Sequence, residues 1–245
     1  MKKLNFIILG TLFSTIAIAQ TSTATDTGVS TEQTKTTQDE DPPFRSGEFG
    51  VRFMPSFSRM EFRNLDGETV KGDVVLSYGY GALLALNSKH VGVQLEAIYN
   101  SYAQKYKDHD MERKVNISYL NIPLLLTLNT DKSKVVNLSA AIGPQMGINV
   151  GSKLETTGTN NTNNGDSLHA VLAVKKADLG FAYGAGLEFA VNPPRTVRIN
   201  LGFRGVYGLI DISDKSKTVA TDSYLILDRT NMETYSGYIG LSFIF

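Results

Sequence analysis

Residues 233–245 (ETYSGYIGLSFIF) alternate strictly in character, and a period of two in side-chain character is the signature of a β-strand. Tyr235, Gly237, Ile239, Leu241, Phe243 and Phe245 share one face. Thr234, Ser236, Tyr238, Gly240 and Ser242 share the other. Such a strand has one greasy side and one wet side, so it belongs to a sheet with different surroundings on its two faces.

The pattern recurs along the chain. Strands are predicted over 47–62, 70–87, 91–105, 114–129, 135–151, 177–191, 196–211 and 230–245. The links between them alternate in length. Short ones lie at 88–90, 130–134 and 192–195, and longer polar ones at 63–69, 106–113, 152–176 and 212–229. Short turns at one end and long loops at the other are the habit of barrels that cross an outer membrane, with the short turns in the periplasm. The predicted fold is all-β: one eight-stranded, antiparallel, up-and-down transmembrane barrel. Closure leaves no free edge, so a monomer is expected.

Parity sorts side chains into lipid-facing and lumen-facing rows. One row holds Tyr78, Tyr80, Ala82, Leu84 and Leu86 in the second strand, and Leu120, Ile122, Leu124, Leu126 and Leu128 in the fourth. The third gives Val91, Val93, Leu95, Ala97 and Tyr99, and the seventh Val197, Ile199, Leu201, Phe203 and Tyr207. In the last strand Ile239, Leu241, Phe243 and Phe245 are predicted to face lipid. The alternate rows hold Arg52, Gln94, Glu96, Gln145, Glu188, Arg198 and Arg204. An Arg turned to the bilayer midplane would cost about 2–4 kcal/mol, so these residues are assigned to the lumen. Tyr78, Tyr99, Tyr183, Tyr207 and Tyr235 are read as interfacial girdles near strand ends.

Residues 1–19 read as a secretory signal peptide: Lys2 and Lys3, an apolar run, then Ala17-Ile18-Ala19 as a cleavage site. Residues 20–46, rich in Thr, Ser, Gln, Asp and Glu, lack apolar periodicity and are read as a disordered periplasmic tail. Residues 47–245 form the barrel domain, and no segment offers the roughly 20 consecutive apolar residues a transmembrane helix needs. The chain has no Cys, which excludes a disulfide framework and an anchor through a lipidated cysteine. Acidic and basic residues balance at 24 each, which argues against a nucleic-acid partner.

Four stretches resemble the PorT-like outer-membrane β-barrel family: 117–128 (ISYLNIPLLLTL), 141–148 (AIGPQMGI), 178–189 (DLGFAYGAGLEF) and 204–210 (RGVYGLI). The first looks like the family's fourth-strand signature, with Asn121 where many members carry an acidic or amide residue. The terminal strand ending in Phe is likewise similar to the closing strand of Gram-negative outer-membrane barrels. The resemblance implies an outer-membrane location, insertion by the barrel-assembly machinery and a role in the envelope, with type IX secretion as the activity of the founding member. Pro123 removes a ladder donor within its strand and is expected to mark a bulge or a bend toward the lumen.

An eight-stranded lumen is just wide enough for side chains to fill it, so Arg52, Arg198 and Arg204 against Glu96 and Glu188 are read as a polar plug. The alternative is a narrow channel or carrier for small molecules. His109, between Asp108 and Asp110, and His169, after Asp166 and Ser167, are weak candidates for catalysis or metal binding. No enzyme activity, cofactor or metal is expected. Within the longest link, 168–174 (LHAVLAV) is apolar enough to fold against the barrel mouth, and an envelope or secretion partner is expected at the loops or the tail. A soluble lipocalin-like barrel with its apolar rows turned inward is the remaining alternative.

Overall fold

The computed structural model describes residues 45–63, 68–108, 111–157, 169–216, 223–227 and 231–245. The predicted signal peptide and nearly all of the predicted tail lie outside them. Eight long strands form the wall: β1 Arg45–Arg59, β2 Ser77–Ser88, β3 Val91–Asp108, β4 Met111–Asn129, β5 Val136–Thr157, β6 Ala177–Ala190, β7 Val197–Gly208 and β8 Glu233–Ile244. Each pairs antiparallel with its sequence neighbours, and β1 pairs with β8 to close the ring. At the seam, Gly47 N donates to Phe245 O at 2.8 Å and Phe245 N to Gly47 O at 2.9 Å.

The apolar rows face outward. Leu86 is 74% exposed, and Tyr80, Leu95, Leu126, Leu138, Leu201 and Ile239 are exposed in the same band. This excludes the lipocalin-like arrangement. The rows run for about nine residues per strand, the length an inclined strand needs to cross a bilayer. Tyr78, Tyr99, Tyr207 and Tyr235 lie at the long-loop edge of the band, whereas Tyr183 sits mid-strand beside Ile142. At the short-turn edge the exposed aromatics are phenylalanines: Phe49, Phe189, Phe243 and Phe245.

Several predicted boundaries move. The second strand starts at Ser77 rather than 70. Thr69–Lys71 instead makes a hairpin with Glu61–Arg63, and Asp73–Val74 pairs with Gln104 and Lys105 of β3. Of the predicted link 106–113, residues 106–108 and 111–113 are strand, because β3 continues to Asp108 and β4 begins at Met111. Its alternation is intact, with Tyr106 and Arg113 buried and Lys107 and Glu112 exposed; the outward row is charged because it lies beyond the apolar band. Likewise β5 extends to Thr157. Pro123 makes no bulge: the β3–β4 register is the same on either side of it, from Leu95 opposite Leu124 to Ile98 opposite Asn121. The register shift is at Ser118/Tyr119, where Gly151 and Asn149 are the successive β5 partners and Val150 is skipped.

Candidate functional site

Four layers of side chains fill the barrel from its short-turn end upward. In the first, the turn after β4 folds under the wall and sends Lys132 inward. Lys132 Nζ lies 2.9 Å from Glu48 Oε2 and 2.6 Å from Glu188 Oε2, and all three side chains are buried. Asn87 Nδ2 donates to Glu48 Oε2 at 2.8 Å. Arg198 fixes the turn itself: its Nη2 donates to the carbonyls of Lys132 and Lys134 at 2.7 and 2.6 Å. From outside, Arg195 Nη1 donates to Ser133 O at 2.9 Å.

The second layer centres on Glu96, whose carboxylate takes Arg52 Nη1 at 2.5 Å and two bonds of 2.9 Å from Arg204, with Gln94 Nε2 donating to Oε1 as well. Two guanidiniums face one carboxylate, an excess of positive charge that an apolar interior would penalise. The Tyr238 ring supplies the compensation. It lies 4.4 Å from the Arg52 guanidinium, within cation–π range. Beneath it are Gly186 and Gly202. A Cβ on Gly202 would come 2.4 Å from the ring, and one on Gly186 2.2 Å from its hydroxyl, so glycine at both positions is what lets the ring lie flat on the wall.

The third layer is built from amides and hydroxyls, with one carboxylate, the buried Asp178, beside Asn121. Ser56 and Ser236 hydroxyls are 2.7 Å apart, and Asn121 Nδ2 donates to Asn100 Oδ1 and Tyr102 Oη at 3.0 and 3.1 Å. A cavity of about 10 Å³ bordered by Asn100, Asn121, Gln145 and Thr234 is the size of one water. The fourth layer is apolar. Tyr102, Tyr106, Val115, Ile117 and Tyr119 point inward from the extended β3 and β4, and Met60, Phe62, Ile212, Ile226, Leu227 and Met232 fold across onto them. Phe62 stacks on Tyr106 at 4.6 Å. Gln104 ties the lid down, accepting from Met60 N at 2.8 Å and donating to Gly72 O at 2.9 Å. Arg113 Nη1 donates to Tyr224 Oη at 2.5 Å.

Arg52, Gln94, Glu96 and Arg204 therefore meet in one layer, Glu188 and Arg198 stand in another, and Gln145 lines the cavity above. Glu48 and Lys132 were not singled out from the sequence. Glu48 shares the parity of Arg52, which was signal enough. Lys132 sits in a turn, where parity says nothing. Within the long link, Ala173 is buried, Leu172 packs on the lid core, and His169–Val171 pairs in parallel with Ser223–Leu225. His90 lies in a short turn with Nδ1 3.4 Å from Asn129 O. His109 and the side chain of His169 fall outside the described residues. No group of three or more metal-ligating side chains occurs among the described residues.

A closed ring of eight antiparallel strands, with an outward apolar band and an inward ionic network, defines a transmembrane β-barrel of the outer-membrane type. The chain belongs to the family described as outer membrane protein beta-barrel domain, whose model matches residues 27–214. Among solved structures it is similar to the outer membrane protein OprG from Pseudomonas aeruginosa, at 15% identity and a TM-score of 0.51, over 82% of this chain and 97% of that one. It is also similar to Neisserial surface protein A, at 14% identity and a TM-score of 0.40, over 80% and 97% of the two chains. No curated protein matches the sequence.

Proposed function

We propose that this outer-membrane protein is a closed, non-conducting barrel that works as a structural or interaction protein of the envelope, with the folded lid at the long-loop end as its working surface. One observation carries this reading: among the described residues the lumen holds two ionic layers, a layer of amides and hydroxyls with the Asp178 carboxylate, and an apolar core, and a cavity the size of one water lies among them. On this reading the short turns and the tail face the periplasm, residues 1–19 direct export, and the lid stands outside the cell. An accessory role in type IX-like secretion rests on the PorT-like resemblance of the four sequence stretches alone.

The rival is a narrow channel or carrier for small molecules. Ion current through planar bilayers separates the two. The wild-type protein should give no steady conductance, and the double variant Glu96→Ala/Glu188→Ala should lose stability without opening a path, because the apolar layer remains. A reproducible ohmic current from the wild type would sink the closed-barrel reading.

A further inference from the structure

β5 runs farther than its neighbour. Its ladder with β6 ends at Ile148 opposite Ala177, with one more bond from Asn149 N to Lys176 O at 2.8 Å, whereas its ladder with β4 continues to Thr157 opposite Glu112. Residues 151–157 are thus paired on the β4 side, with Val150 at the register shift, and 150–157 have, among the described residues, no strand on the other side. The cause is local. The chain approaching β6 leaves β5 for the segment after β7: Lys175 N donates to Ile212 O at 2.8 Å, Asp214 N to Ala173 O at 3.1 Å, and Val174 bridges to Ser213. Side-chain exposure agrees. Ser152 and Thr156 are exposed although opposite the buried Ile117 and Arg113, and nothing lies within 4 Å of where a Cβ on Gly151 would stand.

Closure removes edges only where neighbouring strands are equally long. Beyond the membrane band this one presents about 26 Å of strand, at roughly 3.3 Å per residue, with backbone donors and acceptors on its open side. Its side chains are ordered base, apolar, acid: Lys153, Leu154, Glu155. Lys153 and Glu155 are exposed on the outward face, while Leu154 is half-buried against the lid core. An antiparallel strand centred opposite Leu154 would place an acid beside Lys153 and a base beside Glu155 if it too read base, apolar, acid.

We propose that residues 150–157 are a docking edge for an extended polypeptide segment of base–apolar–acid order, which adds to the wall as an antiparallel strand. A second copy in the same membrane does not qualify. Its β5 points the same way, so an antiparallel match would turn its barrel out of the bilayer. The partner is therefore a different polypeptide present at the long-loop side. The inference rests on the reading of the lid end as the working surface and names the element there that binds.

The test uses the full chain folded in detergent and a fluorescent peptide of residues 150–157 (VGSKLETT), which carries the required order itself. Expected are saturable binding to the wild type, a loss of roughly tenfold for the variant Lys153→Glu/Glu155→Lys, and recovery when that variant meets the exchanged peptide VGSELKTT. Recovery is the diagnostic step, because Glu155 also lies 3.8 Å from Lys114 and the exchange alone perturbs that pair. No saturable binding up to about millimolar peptide overturns the proposal, as does binding indifferent to the exchange. Binding that appears only after deletion of 158–168 also overturns it, since the chain's own next segment would then hold the edge. Bilayer conductance of the same samples keeps the two readings apart: a silent barrel without peptide binding leaves the closed-barrel reading standing and removes only the edge.

Discussion

Arg204 grips Glu96 through two parallel hydrogen bonds of 2.9 Å, Nη1 to Oε2 and Nη2 to Oε1, and does so 108 residues away in sequence. With Arg52 on the same carboxylate, this fork ties β1, β3 and β7 together across the lumen. Glu96→Gln leaves two buried guanidiniums without their counter-charge and should destabilise the folded barrel by about 3–5 kcal/mol. Urea titration in detergent, read by the mobility difference between unheated and heated samples on gels, measures it. A change below about 1 kcal/mol would mean the pair is far better solvated than its burial indicates.

Tyr238 and its glycine floor give a second handle on the same layer. Gly202→Val puts side-chain atoms where the ring lies, forcing Tyr238 off the wall and Arg52 off its face. Overpacking of this kind costs about 1–3 kcal/mol. The double variant Gly202→Val/Tyr238→Ala removes the clash and should recover part of the loss. Equal losses in the single and double variants would show that the glycine answers to the backbone and not to the ring.

The lid core and the transmembrane wall should separate experimentally. Phe62 is fully buried and stacks on Tyr106, so Phe62→Ala should cost about 3–5 kcal/mol, borne by the lid. Limited proteolysis from the long-loop side should become faster, while the heat-dependent gel shift of the barrel stays as in the wild type. Loss of that shift would mean that lid and wall fold as a single cooperative unit.

Much of this architecture was readable from period two, because bilayer and lumen demand opposite side chains on the two faces of each strand. The legible part ends where that contrast ends. Above the band both faces of β3, β4 and β5 meet something other than lipid, so Lys107 and Glu112 read as loop although their neighbours Tyr106 and Arg113 are buried beneath the lid. The ionic layers divide in the same way. Arg52, Glu96 and Arg204 followed from strand parity, whereas Lys132 acts from a turn whose direction is set by Arg198 on its carbonyls, a relation between residues 66 apart. The overshoot of β5 past β6 depends on where the 173–176 segment turns away, which no local pattern encodes.

Asp131 opens the turn that carries Lys132 inward, and it links the short-turn end to pH. Its Oδ1 accepts from Ser133 Oγ at 2.6 Å and from Ser133 N at 3.0 Å, and Lys89 and Lys134 lie 3.9 and 3.7 Å from Oδ2. The Ser133 hydroxyl bond first, then the backbone bond and the two lysines, hold its carboxyl below the ordinary Asp value against the opposing effect of burial. A lowered folded-state value means that the stabilisation is fully present above the unfolded-state value and is lost as pH falls through the folded one. The turn should therefore hold at neutral pH and loosen only on acidification below the ordinary carboxylate range. Asp131→Asn keeps an acceptor for Ser133 but carries no charge, so it should flatten this acid limb while lowering stability at neutral pH. Hydrogen exchange of the Lys132 and Ser133 amides from neutral to acid pH reads it directly. Equal acid sensitivity in wild type and variant would assign the limb to other carboxylates.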